Sequence, residues 1–274
     1  MNAGAALPLS PIRHALTGAG AFTVFALASL TRLLALPHRW MRLRVLGPPC
    51  WLIGVRSVPV VALTGAFIGM VLALETYHQF AAFGQEGRLG GVINISVTKQ
   101  IGPVLAAVMV AGRVGCALAA ELGAMRVTEQ IDAMRAMAAD PLLHLVVPRV
   151  VACTVMTPLL TVFSDLLGVF GGWLISVVVY GVSPYDYWEF SARFIHWWEP
   201  TSGLIKSVFF GASIGLAACY KGFTCRAGAA GVGRAATEAF VASFLAIIAI
   251  NLVLAKFLND FGALFVKSGS SSPF

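Results

Sequence analysis

The sequence predicts an all-α integral membrane protein: an amino-terminal interfacial helix, then five transmembrane helices, with a charged cytoplasmic helix between the second and third. Of the 274 residues, 58% are hydrophobic and only 11% are charged, and the mean hydropathy is +0.85. Soluble domains carry about 25% charged residues. Uncharged runs in this chain approach the roughly 20 residues that a helix needs to cross a bilayer core.

The first element is an apolar stretch, Ala15 to Thr31, that is followed by an arginine cluster from Arg32 to Arg56. Positive charge after the stretch opposes translocation, which argues against a signal peptide. Residues 8–46, within a region 1–48, are predicted to form an amphipathic helix along the cytoplasmic membrane face. Gly47, Pro48 and Pro49 are expected to break that helix before the first span.

The five predicted spans cover residues 55–82, 90–115, 148–180, 203–221 and 236–259. The third span merges two uncharged runs around Asp165. Placing the amino terminus inside puts 13 of the 19 basic residues on the cytoplasmic side, as the retention of Lys and Arg there requires. The carboxyl terminus is then outside. Basic residues spread along flanks in this way predict topology and no nucleic-acid partner.

A charged side chain deep inside a span costs about 2.5 to 3.5 kcal/mol on insertion scales. Lys99 in the second predicted span, Asp165 in the third and Glu75 in the outer part of the first therefore each need a reason. Asp165 is expected to be buried against a basic or hydroxyl partner. Lys99 lies beside Gln100 and just before Pro103, where a helix is weakened, so we expect it to meet an anionic headgroup in a polar-rimmed cavity.

Glycines four residues apart occur in three spans and let helices approach closely. Two readings stay open, packing within one chain or a homodimer face. The pairs are Gly65 with Gly69, Gly168 with Gly172, and Gly211 with Gly215.

The segment between the second and third spans, residues 121–139, predicts a short cytoplasmic helix. Thr128 is expected to cap it, because acidic residues follow in the first turn. Asp140 and Pro141 are expected to end it. Its apolar positions Met125, Ile131, Met134 and Met137 face either the lipid and core or a soluble partner.

Motifs for catalysis, metal binding and nucleotide binding are missing from the sequence. The chain has no HExxH or GxxxxGK[ST] pattern, its five histidines are scattered, and its five cysteines lack metal-ligand spacing. We therefore predict a subunit that is not an enzyme and has no metal and no cofactor of its own, so any ATP is bound and hydrolysed by another chain.

One long segment gives the sequence a specific resemblance. GPVLAAVMVAGRVGCALAAELGAMRVTEQIDAMRAMAADPLLHLVVPRV resembles the signature of the MlaE/YrbE family, the permease subunits of ABC transporters that work with MCE proteins. The similarity continues through TGAFIGMVLALETYHQFAAFG, GVFGGWL, IKSVFFG and AGAAGVGRAATEAFV. It spans about residues 50–258, inside a predicted permease domain of residues 49–260 that precedes a periplasmic tail of residues 261–274.

The resemblance implies a homodimer in the bacterial inner membrane, bound to two cytoplasmic ATPases. A periplasmic hexameric MCE ring and often a small STAS-domain subunit complete such a transporter, whose substrate is phospholipid moved between inner and outer membranes to maintain lipid asymmetry. The family's ATPase-coupling helix maps onto Glu121, Gly123, Met125, Thr128, Glu129, Gln130 and Asp132. Its outward-facing lipid cavity maps onto Leu72, Phe83, Lys99, Gln100 and Ile101.

The chain departs from the family pattern at the lipid cavity, because Lys99 and Gln100 stand where Arg-Glu is usual and Glu75 stands where glutamine is common. The alternative function is an ion-coupled secondary transporter, or a passive lipid-exchange channel, that uses Asp165 and Glu75. The missing inverted repeat and the docking-like loop count against that alternative. A membrane-embedded enzyme would need a cluster of reactive groups that the sequence does not offer.

Overall fold

A computed structural model describes residues 10–35 and 43–269, and all regular structure in these two ranges is helical. The α-helices, numbered in chain order, are α1 (Ser10–Ala35), α2 (Leu43–Ile53), α3 (Val58–Ala81), α4 (Leu89–Ser96), α5 (Gly102–Val110), α6 (Cys116–Val127), α7 (Gln130–Ala136), α8 (Val147–Trp173), α9 (Pro184–Phe194), α10 (Trp198–Phe223) and α11 (Ala229–Gly269). Turns of 3₁₀-helix (Val55–Ser57, Glu86–Arg88) and of π-helix (Val97–Ile101, Ala111–Gly115, Leu142–Val146, Leu174–Val179) join several of them.

Within the described ranges, five continuous helical stretches are long and apolar enough to cross a membrane, which confirms the predicted number. They are Val45–Ala81, Glu86–Val127, Leu142–Val179, Trp198–Phe223 and Ala229–Gly262. The third runs without a break through Asp165, as predicted. The last helix continues to Gly269, so residues 261–269 of the predicted tail are helical, while the rest of that tail lies outside the described residues.

The expected helix break at Gly47, Pro48 and Pro49 is wrong, because α2 runs through all three. Neighbouring helices make proline tolerable inside membrane helices. The α-helix is interrupted instead at Gly54, which precedes a 3₁₀ turn. A Cβ at Gly54 would stand only 2.7 Å from Met156 Sδ of the third span, so the interruption lies at a close contact between the first and third spans.

The amino-terminal helix is described over Ser10–Ala35. Residues 8–9 and 36–42 of the predicted 8–46 lie outside the described ranges, and the helix that begins at Leu43 continues into the first span. Its aromatic side chains pack on the fourth span, with the Phe22 and Phe25 rings 5.3 and 5.5 Å from the Tyr220 ring. This helix is therefore docked on the bundle.

An ion pair between Arg32 and Asp140 holds the end of α1 to the loop before the third span. Burial raises the pKa of the Asp140 carboxyl, but hydrogen bonds from Arg32 and from the Leu142 N–H, with the charge of Arg32, bring that pKa below its usual value of 3.8. Asp140 thus stays ionised at neutral pH and fixes the amino-terminal helix.

The glycine pairs bring the spans into backbone contact within one chain. A Cβ at Gly65 would overlap the backbone of Ser164, and one at Gly69 would overlap Gly168. In the fourth span, a Cβ at Gly211 would lie 2.5 Å from the Cys153 carbonyl oxygen of the third span. Of the two readings of these glycines, packing within the chain is the one that these contacts support.

Candidate functional site

A π-helical turn, Val97–Ile101, interrupts the second span at the predicted lipid-binding residues. Pro103 has no N–H and cannot donate to the carbonyl four residues earlier, which is that of Lys99. The Lys206 ammonium of the fourth span donates to this carbonyl at 3.1 Å and to Gln100 Oε1 at 2.6 Å. Lys206 is 1% exposed, so the second and fourth spans share a buried cation at this turn.

Lys99 forms an ion pair with Glu199 at the start of the fourth span, with 2.8 Å between Nζ and Oε2. The side chains keep 29% and 17% of their surface exposed. Lys99 is thus partly open to a ligand but already has an anionic partner.

Asp165 is buried in the third span, and its Oδ1 accepts no hydrogen bond from the described residues. A Cβ added at Gly102 would overlap this oxygen, so the carboxyl lies against the end of the π turn. The basic or hydroxyl partner expected for Asp165 is therefore not found in the described ranges, at least for Oδ1. Glu75 is exposed on the first span.

The other predicted lipid-binding residues lie on both sides of this turn. Leu72 of the first span packs against a small apolar cluster that includes Val97. Ile101 is half-buried in the turn itself. Phe83 lies beyond the end of the first span and is 79% exposed. The structure groups Lys99, Gln100 and Ile101 in one turn and leaves Phe83 apart from them.

The predicted coupling helix 121–139 is two helices. The second span continues as α6 to Val127, and α7 begins at Gln130. Thr128 is not the predicted amino-terminal cap, because its hydroxyl donates back to the Ala124 carbonyl at 2.9 Å. Glu129 occupies the cap position with a left-handed backbone, φ 58°, and makes no side-chain capping bond. The chain changes direction at Thr128 and Glu129, and this turn with its neighbouring charged residues is the charged reversal.

Ion pairs fix the acidic residues on either side of this reversal. Arg126 Nη1 donates to both Asp132 oxygens, at 2.8 and 2.7 Å, and Arg135 adds a contact of 3.0 Å. Glu121 pairs with Arg149 of the third span at 2.9 Å. Glu129 and Gln130, in contrast, are exposed, and Glu129 has no ion pair with any described residue.

The apolar side chains of residues 121–139 differ in burial, so some face the core and others face outward, where a partner could contact them. Ile131 is fully buried and Met137 is 72% exposed, while Met125 and Met134 are half-buried. Gly123 packs against the loop after the fourth span, since a Cβ there would stand 3.3 Å from Cys225 Sγ. Ile131 therefore anchors the reversal in the protein, and Met137 remains available to a partner.

At the other end of the bundle, α9 is fastened to the second span by a buried polar network. Tyr187 OH donates to Asn94 Oδ1 at 3.1 Å, and Asn94 Nδ2 donates to Ser191 Oγ at 2.9 Å. Burial raises the pKa of Tyr187 to about 12. This network holds the connection between the third and fourth spans against α4.

The described residues contain no group of His, Cys, Asp or Glu that could hold a metal ion. The five cysteines are unpaired, with Cys153 and Cys219 fully buried among the helices. The two buried cysteines therefore act as small packing residues.

The family model for "Permease MlaE" matches residues 48–257, which include both the π turn and the charged reversal. The chain belongs to the MlaE permease family. A "Probable ABC transporter permease protein" of Rickettsia bellii is 38% identical over 237 residues, 86% of this chain and 90% of the relative. The "Intermembrane phospholipid transport system permease protein MlaE" of Haemophilus influenzae is 34% identical over 212 residues, covering 77% and 80%. A "Probable ABC transporter permease protein" of Synechocystis is 41% identical over 203 residues, covering 74% and 77%.

Two residues of this MlaE-family site were not singled out from the sequence, Lys206 and Glu199. The signal for Lys206 was present, since a lysine inside a predicted span carries an insertion cost and needs a partner. Glu199 stood in a predicted exterior loop, four residues before the span. Only the fold shows that this glutamate reaches the second span.

Proposed function

We propose that this chain is the non-catalytic, membrane-spanning subunit of an ABC transporter that moves phospholipid between inner and outer membranes and so maintains outer-membrane lipid asymmetry. The single observation that carries the proposal is the family match over residues 48–257, five spans long and continuous. The name of the Haemophilus relative supports phospholipid as the substrate. ATP would be bound and hydrolysed by a partner ATPase.

The assembly we propose is a homodimer with two cytoplasmic ATPases, a periplasmic hexameric MCE protein and a small STAS-domain subunit. We also propose that the amino terminus is cytoplasmic, which places Met137 on the cytoplasmic side and Tyr185 on the periplasmic side. Both are more than 70% exposed, so Tyr185→Cys in right-side-out vesicles should react with an impermeant thiol reagent while Met137→Cys should not. The reverse labelling pattern would contradict the orientation.

The charged reversal supports a role in coupling to the ATPase. Glu129 presents a carboxylate on a fixed left-handed turn, and its neighbours are immobilised by ion pairs and by the buried Ile131. A rigid, exposed, charged point joined directly to the second span can transmit motion of a docked partner to that span. The turn directly follows the continuous helical stretch Glu86–Val127, which contains the Lys99 turn.

The π turn supports a role in lipid handling. Lys99 is partly exposed beside apolar side chains, so it can attract a lipid phosphate if it leaves or shares Glu199. The lipid phosphate and the Glu199 carboxylate then compete for the Lys99 ammonium group.

The decisive experiment compares charge reversals at two exposed glutamates. Glu129→Lys should abolish co-purification of the ATPase and ATP-dependent lipid transport, because the contact would gain a repelling charge. Glu86→Lys is the matched control, since Glu86 is exposed at the opposite end of the second span. It should leave both readouts unchanged. Glu129→Gln separates the charge from the shape of the turn and should give an intermediate loss.

Normal ATPase binding and transport by Glu129→Lys would reject the coupling role of this turn. Absence of any ATPase and any phospholipid from the purified wild-type complex would reject the proposed function itself.

Ion coupling stays as a second candidate because of one observation, the buried Asp165 oxygen that lacks a hydrogen-bond donor in the described ranges. An ion-coupled transporter would lose transport in Asp165→Asn, whereas the ATP-driven transporter should keep it. Dissipating the proton gradient in vesicles supplied with ATP tests the same choice independently. Transport should stop if it is coupled to protons and continue if it is driven by ATP.

A further inference from the structure

A long apolar groove lies between the amino-terminal helix and the last two spans. Its volume is about 610 Å³. Gly18 and Phe22 of α1 form one wall, and the fourth and fifth spans form the others. Small side chains on these spans, among them Ala212, Ala217 and Ala246, leave the space open.

The groove has the length of one lipid chain. Its lining on the fourth span runs from Phe209 to Lys221, and twelve residues of α-helix rise roughly 18 Å. One leaflet contributes half of the bilayer's hydrocarbon core, which is roughly 15 Å. An acyl chain of one leaflet can therefore lie along the whole groove.

The walls offer hydrocarbon along most of this length. The Ser213 hydroxyl is used by its own helix, since it donates to the Phe210 carbonyl at 2.8 Å. Tyr220 packs its ring edge-on against Phe22. A second apolar cavity, of about 510 Å³, lies on the other side of Phe22, between α1 and the third and fourth spans. The two cavities share Phe22, Ala212 and Leu216.

Positive charge collects at one end of the groove. Lys221 lines this end and is paired with Glu238 at 2.9 Å, with 30% of the lysine side chain exposed. A phosphate at this end would meet the Lys221 ammonium, with the Glu238 carboxylate as its competitor.

We propose that this groove binds a phospholipid, with one acyl chain along the fourth and fifth spans, the second chain in the cavity beyond Phe22, and the phosphate at Lys221. A diacyl lipid fits because two hydrocarbon cavities of similar volume lie side by side next to one cationic end. The site shares no residue with the lipid cavity predicted at Lys99. A lipid bound there would connect the amino-terminal helix to the bundle, in addition to the ion pair between Arg32 and Asp140.

The test uses the full chain, delipidated in detergent and titrated with dioleoylphosphatidylglycerol, with bound lipids counted by native mass spectrometry. Ala246→Phe fills the groove and should weaken the tightest binding step roughly tenfold or more, since even two fewer buried methylene groups have that effect. Ala249→Phe is the matched control, because Ala249 is exposed on the same span outside the groove. Its binding should equal that of the wild type.

Ser213→Phe fills the groove from the opposite wall and should repeat the loss, which guards against a folding defect in one variant. Wild-type affinity in both filled variants would overturn the proposal. Unchanged lipid affinity together with loss of self-association would assign the groove to a second copy of the chain instead.

If Lys221 contacts the phosphate, substitutions at the two members of the Lys221–Glu238 ion pair should have opposite effects. Lys221→Gln should weaken binding of dioleoylphosphatidylglycerol, and Glu238→Gln should tighten it by releasing the ammonium. Neither change should alter binding of dioleoylglycerol, which has the chains but no phosphate. Equal weakening by both variants, for both lipids, would show that the ion pair is only structural and would overturn the headgroup assignment.

Discussion

Replacing Gly211 by alanine should weaken the contact between the third and fourth spans inside one subunit. The added Cβ would lie 2.5 Å from the Cys153 carbonyl oxygen and 2.8 Å from Thr157 Oγ1, whereas ordinary contact begins at 3.4 Å, so the spans must separate by about 0.9 Å. The neighbours cannot yield, because one is backbone and the buried Thr157 hydroxyl donates to that same carbonyl at 2.8 Å.

The magnitude follows from the loss of close packing. A gap of roughly 0.5 to 1 Å forfeits a quarter to a half of the dispersion attraction, and lipid supplies no hydrophobic force to compensate. Overpacking of this kind costs about 1 to 3 kcal/mol. The melting temperature should then fall by roughly 2 to 10 °C.

The assay is thermal unfolding of the purified chain in detergent, measured at several protein concentrations. Gly233→Ala is the control, because nothing lies within 4 Å of its added Cβ and alanine favours the helix by about 0.5 to 1 kcal/mol. The fall for Gly211→Ala should not depend on concentration. An unchanged melting temperature, or an effect seen only on the dimer–monomer equilibrium, would refute the reasoning and restore the homodimer reading.

Three further predictions follow from the ionisable groups. The double variant Lys99→Glu with Glu199→Lys should recover the thermal stability that Lys99→Ala loses, but it should not recover the phospholipid content of the purified protein. Recovery of both would show that the ion pair is purely structural. Because the pKa of Asp140 is lowered in the folded protein, the docking of α1 through Arg32 on Asp140 should hold above pH 3.8 and weaken as the pH falls below that value. Limited proteolysis of α1 measures this, and Asp140→Asn should remove the dependence. Because the pKa of Tyr187 is raised from 10.0 to about 12, stability should be full below pH 10 and fall as the pH rises towards 12; a Tyr187→Phe protein with the same alkaline profile would contradict this.

Hydropathy and the positions of Gly, Pro and charge were enough to predict the number of spans, because each span is a local property of roughly 20 residues. The merged span through Asp165 and the close approach of Gly65 and Gly69 follow from such local signals. The predicted break at Pro48 and Pro49 is wrong, and the α-helix is interrupted instead at Gly54. Gly54 contacts Met156, 102 positions away in the sequence, and no local signal reveals such a contact.

The site was predicted less completely for the same reason. The sequence indicates that Lys99 needs a partner but does not show which of the distant acids will reach it. Glu199 is the partner only because the fourth span begins beside the π turn. The Thr128 cap failed because the left-handed backbone of Glu129 lets the chain turn without a side-chain cap.

The bond between Lys206 and the Lys99 carbonyl has a consequence for biosynthesis. The two residues are 107 positions apart, and ribosomes add roughly 5 to 20 residues per second. The second span is thus made roughly 5 to 20 seconds before its donor, and during that interval the Lys99 carbonyl, four residues before Pro103, lacks the ammonium that later satisfies it. In hydrocarbon such a group is costly. The nascent second span must therefore wait near the insertion machinery or in a hydrated setting until the fourth span arrives.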